Sequence, residues 1–468
     1  MKALLVQPNY RLQRETGQPW EINPPLGLCY IASVLEQNKI PVKIIEANAL
    51  NLSVEDVVRE AKGYDVVGIS FMTPAHNFAV QVAKSLDKSV LKIAGGPQPT
   101  GIPEEVLKDG FDVVVRGEGE KTILEIAQEV PFKDVLGISY KEDGQIFHNN
   151  LRPLMSNEEV DQLPLPARHL LPSNGVNIPY RSAATKWLPW SPIFSTRGCA
   201  YNCYFCHKMF GYKTRFRDPE KVVNEMVYLK EKYGVKEIDF YDDCFNADLN
   251  FAHKVMDSII VKNLKLHLRF SNGIRINNID SDILRKFKQA GVDWISFGIE
   301  SGNQEILNKI PKAITLDQIR QAVKLTKDVG ITVCGFMILG LIGDTKETMQ
   351  QTIDFAKELD LDMAVFGMLT PYPGSRVWEE IKKNGELLIK SWDDFHHTTS
   401  RMTFRHPDVA PPEIVEEMYK KAHREFYMRP KYILKRASTI NNVQDIRFMF
   451  RGLRSILRIR KAKEEMKK

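Results

Sequence analysis

Arg197-Gly198-Cys199-Ala200-Tyr201-Asn202-Cys203-Tyr204-Phe205-Cys206 is the stretch from which the rest of the chain can be read. It places three cysteines at C-x3-C-x2-C spacing within eight residues. Thiolates are soft ligands that suit iron and sulfide. Three of them can hold three irons of a four-iron cluster and leave the fourth iron without a protein ligand, and an open position marks a metal site that does chemistry. A structural zinc knuckle would need a fourth Cys or His. His207 is the candidate, but it directly follows Cys206, and adjacent residues seldom both reach one tetrahedral ion. Just ahead, Ile193-Phe194-Ser195-Thr196 reads as a short buried strand. It would deliver the cysteines onto a loop at a strand's C-terminal end, where α/β barrels place their sites.

Outward from this loop, strand and helix patterns alternate from Pro192 to about Ser375. Strands are expected at 193–196, 237–241, 265–270, 294–299, 332–339 and 363–368. Helices fill the gaps, as at Pro219 to Tyr233 and Thr345 to Leu359. Polar motifs follow the strands: Tyr241-Asp242-Asp243, Asn272-Gly273-Ile274-Arg275, Gly298-Ile299-Glu300-Ser301-Gly302, Gly340 to Thr345, and Thr370 to Ser375. Residues 1–130 alternate in the same way, with strands expected at 2–7, 42–46, 65–70, 90–94 and 111–115 and a helix from Leu26 to Asn38. That order implies a doubly wound parallel sheet, whose ligands bind at the C-terminal strand ends. Gly95-Gly96-Pro97 and Arg116-Gly117-Glu118-Gly119-Glu120 fall at such ends. Glycines there also serve plain turn chemistry.

C-x3-C-x2-C with the aromatic Phe205 before its last cysteine resembles the cluster motif of the radical S-adenosylmethionine (radical SAM) superfamily. The resemblance implies a 4Fe-4S cluster on Cys199, Cys203 and Cys206, with SAM chelating the open iron. The six βα units then resemble that superfamily's partial (βα)6 barrel. Phe205, Asp242, Asn272, Arg275, Glu300, Ser301, Gly340 and Tyr372 resemble its SAM-contacting segments. Carboxylates such as Glu300 and Asp242 would meet the cation or accept from hydroxyls, Arg275 would meet the carboxylate, and Gly340 would let adenine approach the backbone. Acids at strand ends also serve as helix caps. The segment at 340 departs from the commoner Gly-x-Pro-Gly-Glu-Thr, with Ile342 for Pro and Asp344 for Glu, so a persisting turn is expected there.

The order Gly68-Ile69-Ser70, Thr73, Gly95-Gly96-Pro97, Gly117-Glu118 resembles the cobalamin-binding domain found ahead of many radical SAM domains. It implies cobalamin contacts from Ser70, Thr73, Gly95, Gly96, Pro97, Gly117 and Glu118. The Asp-x-His-x-x-Gly motif of the larger cobalamin family is missing, since no His precedes His76. Bound cobalamin is therefore expected base-off, without an imidazole from the first-strand loop. A degenerate domain that binds nothing is the competing expectation.

Domains are expected at 1–130 (Rossmann-like, cobalamin-binding), 131–190 (a Pro- and aromatic-rich connector), 191–375 (barrel) and 376–468 (helical, ending in a basic amphipathic helix). Net charge is +6 overall, but Arg429 to Lys468 holds 13 basic and 3 acidic residues. Apolar Val443, Ile446, Phe450, Leu453, Ile456 and Leu457 alternate there with arginines, which suits an anionic lipid surface or a solvated docking helix. No nucleic-acid reading motif accompanies it. The longest apolar run, Ile331 to Gly343, is too short to span a bilayer. With no signal segment and no disulfide framework, a cytoplasmic protein is expected, peripherally membrane-associated if the tail binds lipid. Cys29, Cys244 and Cys334 are expected to be inert and buried, although the last two fall near strand ends. His396 and His397 read as cap or solvent residues.

The resemblance implies a methylase acting at an unactivated carbon: SAM yields a 5′-deoxyadenosyl radical, methylcobalamin supplies the methyl group, and a second SAM restores it. The substrate would be a small molecule or an isoprenoid-like lipid, and an external one-electron donor such as flavodoxin or ferredoxin would serve it. The alternatives are an oxidative cyclase, a ring-rearranging or a carbon–carbon coupling enzyme, with or without cobalamin. An iron–sulfur regulatory protein is the non-enzyme alternative.

Overall fold

The computed structural model describes residues 1–10, 22–177, 180–182, 185–395 and 401–438 of the 468. Trp20 of the first-strand loop, His396 and His397, and the basic segment from Val443 onward lie outside the described residues. Seven strands form the first sheet: β1 (Ala3–Gln7), β2 (Val42–Glu46), β3 (Val66–Ser70), β4 (Leu91–Gly95), β5 (Val113–Val115), β6 (Ile138–Glu142) and β7 (Gln145–His148). Their order is β2-β1-β3-β4-β5-β6-β7. The first five run parallel. The chain winds outward to β2 and then back past β1 to β3, so the switch point lies between β1 and β3, where such sheets hold ligands. The hairpin β6–β7 adds antiparallel strands at the far edge. It comes from the stretch expected as connector. Ile138 and Tyr140 are buried and alternate with polar neighbours, a pattern that the nearby prolines obscured.

The second sheet starts with β8 (Trp190–Ile193). A small antiparallel pair, β9 (Thr196–Arg197) and β10 (Arg215–Phe216), brackets the cysteine loop. β11 (Glu237–Phe240), β12 (His267–Ile274), β13 (Val292–Glu300), β14 (Thr332–Leu339) and β15 (Met363–Met368) complete it. β8 and β11–β15 form a six-stranded sheet with every pairing parallel, the expected open βα barrel. β8 lies three residues earlier than its sequence expectation, because Ser195 and Thr196 turn away to bind Asp242. Helix ends follow local chemistry. Asp218 caps Pro219–Tyr233, and Gly234 ends it in a left-handed turn. The edge strand β15 is covered by the helix Pro412–Tyr427, whose Tyr427 hydroxyl donates to the Ala364 carbonyl at 2.6 Å. A covered edge cannot template strand pairing.

Buried ion pairs join the two halves. Arg197 reaches Glu120 at 2.6 Å, and Arg215 reaches Glu118 at 2.7 Å. Glu118 also accepts from the Met155 amide at 3.0 Å. Glu225 binds Arg168 from the connector at 2.9 Å and Arg217 at 2.7 Å. Removing one member leaves an uncompensated buried charge. Glu118→Ala is expected to cost about 3–5 kcal/mol, read as a lower urea midpoint at unchanged slope. Arg320→Ala, at a pair exposed on the surface, is expected to cost under about 1 kcal/mol. Similar losses at both positions would show that the clamp contributes nothing special.

Candidate functional site

The cysteine loop is held from below by two consecutive acids that follow β11. Asp242 accepts from the Ser195 amide (2.8 Å), Ser195 Oγ (2.8 Å), Thr196 Oγ1 (2.9 Å) and the Thr196 amide. Burial pushes its carboxyl up to about 6 against those bonds. Asp243 accepts from the Gly198 amide at 3.1 Å. Gly198 sits at φ 80, where a Cβ would meet the Lys213 and Phe210 carbonyls at 2.6 and 2.7 Å, so the turn requires glycine. Above it, the Arg275 guanidinium lies 3.6 Å over the Tyr201 ring, and the Tyr204 carbonyl accepts from the Val377 amide at 2.9 Å.

Within the loop Cys203 faces Cys206, while Cys199 faces Cys244. Hydrogen bonds from these neighbours lower the Cys199 and Cys203 thiols toward thiolate, and raise Cys206 and Cys244. Cys199 and Cys203 are half-buried and Cys206 is exposed. Among the described residues no group of three or more His, Cys, Asp or Glu side chains is arranged around one point as a metal site. The donor set, three thiols on one short loop with two biased toward thiolate, is nonetheless of the kind that iron takes.

The other expected SAM residues divide into two groups. Arg275 and Glu300 come together through Lys312: Arg275 Nη2 donates to the Lys312 carbonyl at 2.6 Å, and Lys312 Nζ pairs with Glu300 at 2.5 Å. Phe205 packs edge-on against Tyr204. Asn272 is exposed at the rim and donates to the Tyr241 carbonyl at 3.0 Å. Tyr372 is half-buried beside Phe395. Two of the expected residues have partners within the protein. Asp242, expected at the ligand, spends its carboxylate on the loop base. Ser301 is fully buried, and its hydroxyl bonds Thr352 Oγ1 and the Asn303 amide, so it shapes a turn. Gly340 has φ 77, but Val415 and Met402 already pack against it, with a Cβ there 3.0 and 3.3 Å from them. The turn after it persists: Asp344 accepts from the Leu341 amide at 2.9 Å and Thr348 Oγ1 at 2.7 Å.

A cavity of about 100 Å³ opens between the halves. The first sheet lines one side at its switch point, with Leu5, Ser70, Gly95, Gly96, Gly117 and Glu118. The cysteine loop lines the other with Thr196, Arg197, Met209 and Phe210. Gly96 sits at φ 97, and a Cβ there would stand 2.9 Å from the Phe71 carbonyl. The glycines and apolar neighbours let a flat ring approach the backbone at these strand ends. Three of the residues expected at cobalamin are engaged with the protein itself. Glu118 reaches the wall with its carboxylate engaged by Arg215 and the Met155 amide. Thr73 turns to Gln98, its Oγ1 donating at 2.7 Å. Pro97 starts a short helix behind the wall. His76 is held by Asp109 at 2.9 Å and packs on Trp392, away from the lining.

Residues 21–127 match the family model for the B12 binding domain, and residues 193–356 that for the Radical SAM superfamily. The chain is 35% identical to an uncharacterized methyltransferase, PH0819, of Pyrococcus horikoshii, over 93% of this chain and 94% of that protein. The chain belongs to the cobalamin-binding radical SAM enzymes. It is also 28% identical, over 92% of this chain and 78% of the other, to an anaerobic magnesium-protoporphyrin IX monomethyl ester cyclase of Rubrivivax gelatinosus. Among solved structures it resembles the radical SAM methyltransferase TsrM of Kitasatospora setae with cobalamin and a 4Fe-4S cluster bound. The TM-score is 0.71, with 16% identity and 100% of each chain covered.

Sequence reasoning missed Lys312, which no motif marks, and the contact of Cys244 with Cys199. It also missed the role of Arg197 and Arg215. In this radical SAM enzyme their position, flanking the cysteine run, is the one signal that could have drawn attention to them. Among the described residues no helix is long and apolar enough to cross a membrane. In metal-free, reduced protein at pH 7, Cys199 (lowered to about 6) and Cys203 (lowered to about 7) are expected to alkylate first. Cys29 and Cys334, each pushed up to about 12 by burial, should stay unmodified. Peptide mass spectrometry after brief iodoacetamide exposure reads the order, and equal labelling of all four would contradict it.

Proposed function

We propose that the protein is a methylase that transfers a methyl group to an unactivated carbon of a small-molecule or lipid substrate. The observation behind this reading is the single cavity bounded on one side by the glycine-rich strand ends and on the other by the cysteine loop. The close relative named as a methyltransferase supports it. Cys199, Cys203 and Cys206 would hold the cluster, which supplies the electron for SAM cleavage, while cobalamin in the glycine-lined cavity supplies methyl-carrying chemistry. The chain's own task is placement and exclusion of water. Asp242 and Asp243 fix the loop, the arginine clamp fixes the facing strand ends, and Leu5, Met209 and Phe210 keep the cavity apolar. Electrons would come from a one-electron carrier protein. Oxidative cyclisation is the second reading, favoured by the likeness to the cyclase.

Anaerobic reconstitution with iron, sulfide and hydroxocobalamin, followed by desalting and absorption and EPR spectra, tests the cofactor set. Gly96→Ala is expected to lower cobalamin retention about tenfold with iron content unchanged, whereas Cys203→Ala should lose the cluster and keep cobalamin. Loss of both cofactors in both variants would point to global unfolding and remove the assignment of two separate sites. With methyl-deuterated SAM and candidate substrates, label in the product supports methyl transfer. A product lacking label but short of two hydrogens would move the reading to cyclisation.

A further inference from the structure

The return limb of the cysteine loop, from His207 to the start of β10, comes to the surface, and the segment that follows β7 lies against it. Gly211 sits at φ 75, and a Cβ there would stand 2.4 Å from Leu154 Cδ1, so the glycine lets that leucine rest on the limb's backbone. Gly137 gives Arg152 the same close approach, with a Cβ there 3.3 Å from that of the arginine. A run of exposed apolar side chains follows this seam: Leu136 (37% exposed), Leu151 (67%), Leu154 (39%) and Tyr212 (57%). None of them lines the cavity between the halves. Single exposed leucines need no explanation, but an apolar strip along one seam marks a contact surface.

One side chain joins the strip to the cysteines. Lys208 Nζ lies 5.3 Å from the centre of the Tyr212 ring and donates to the carbonyls of Cys199, at 3.3 Å, and Tyr201. Tyr212 thus stands at the surface one ammonium group away from the backbone that carries Cys199. The seam is also cationic in balance. Its acids Glu125, Glu159 and Glu118 are paired with Arg152, Lys121 and Arg215. Arg116 donates to the Ile138 and Asn149 carbonyls, and Lys208 likewise to carbonyls. Among the described residues neither forms an ion pair. Asp243, which feels the Lys208 charge, keeps its carboxylate on the Gly198 amide. Lys213 is exposed and acts on the Glu158 carboxylate. Transient electron-transfer complexes bury under about 1,200 Å², whereas obligate dimers bury roughly 2,000 Å² or more. Four apolar side chains beside unpaired cations suit a transient, acidic partner better than a second copy of this chain.

We propose that the seam of Leu136, Leu151, Leu154 and Tyr212 is the docking surface of a small acidic one-electron carrier protein, which brings its redox centre against Tyr212. This rests on the reading that Cys199, Cys203 and Cys206 hold the cluster. The carrier is oxidised by one electron and the cluster reduced by one, with no bond made or broken. The apolar strip excludes water from the contact, and Arg116, Lys208 and Lys213 meet the carrier's acidic rim.

The test compares reconstituted wild type, Leu151→Asp and Tyr212→Ser by stopped-flow, following the cluster absorbance after mixing with reduced flavodoxin or with dithionite. Both variants should slow reduction by flavodoxin about tenfold or more and change reduction by dithionite less than about twofold. Added salt should slow the flavodoxin reaction of wild type, and calorimetric binding of oxidised flavodoxin should weaken in both variants. Iron content reports the fold, and should Tyr212→Ser lose iron, Leu151→Asp carries the comparison. Equal slowing with both reductants, or with neither, overturns the docking role. Variants that lose self-association while keeping the flavodoxin rate would give the strip to a second copy instead. Wild type that dithionite reduces and flavodoxin does not overturns the carrier surface and leaves the cluster reading standing. Failure to assemble any cluster overturns that reading and this assignment with it.

Discussion

Two arginines on either side of the cysteine loop end on acids of the other domain, and the relative placement of the two sheets follows from them. Arg197 and Arg215 lie on the paired strands β9 and β10, and both guanidinium groups cross to the turn and helix after β5, at Glu118 and Glu120. Buried ion pairs add little net stability compared with apolar packing, since desolvation offsets most of their attraction. Their effect is directional. A different docking of the domains would leave several buried charges without partners, at several kcal/mol each by order of magnitude. The Arg168–Glu225–Arg217 group acts the same way between connector and barrel. Two sheets that fold from separate local patterns are thereby held with their C-terminal strand ends facing one gap.

The same economy separates acids that shape the site from acids open to a ligand. Asp242 and Glu300 both follow barrel strands, and their sequence contexts look alike. Asp242 is saturated by four neutral donors from one loop segment, so a ligand could use it only by dismantling the loop base. Glu300 is matched by one lysine on a loop between helices. Satisfaction of hydrogen-bonding capacity tells these cases apart, and that quantity depends on which backbone amides come near.

That distinction explains what was legible in the chain beforehand. Alternating strand and helix patterns carried the parallel sheets, because burial on both faces leaves continuous apolar runs such as Val113–Val115 and Val66–Ser70. The cysteine spacing carried the family, since ligand geometry is written in local sequence. The hairpin of β6 and β7 was hidden by the prolines that follow it. β8 was placed late because Ser195 and Thr196 resemble strand residues until Asp242, 46 residues away from Thr196 in the chain, claims them. Glu118 looked like a ligand contact and does line the cavity, but its carboxylate is held by Arg215. Lys312 had no local signal, as its meaning comes from Arg275, just after β12, and Glu300, at the end of β13.

The cysteine loop touches both of the environments so defined. Thr196, Arg197, Met209 and Phe210 line the apolar cavity, while Tyr201, between them in the chain, stacks on Arg275 of the charged group. An apolar, water-poor wall suits a large planar cofactor and the uncharged carbon chemistry proposed for it. Asp242 and Asp243 pin the loop base, and Arg275 stacks on its middle. The turn at Gly198 has no room for even one added carbon, so the base of the loop is built by that glycine together with acids whose position in the sequence suggested ligands.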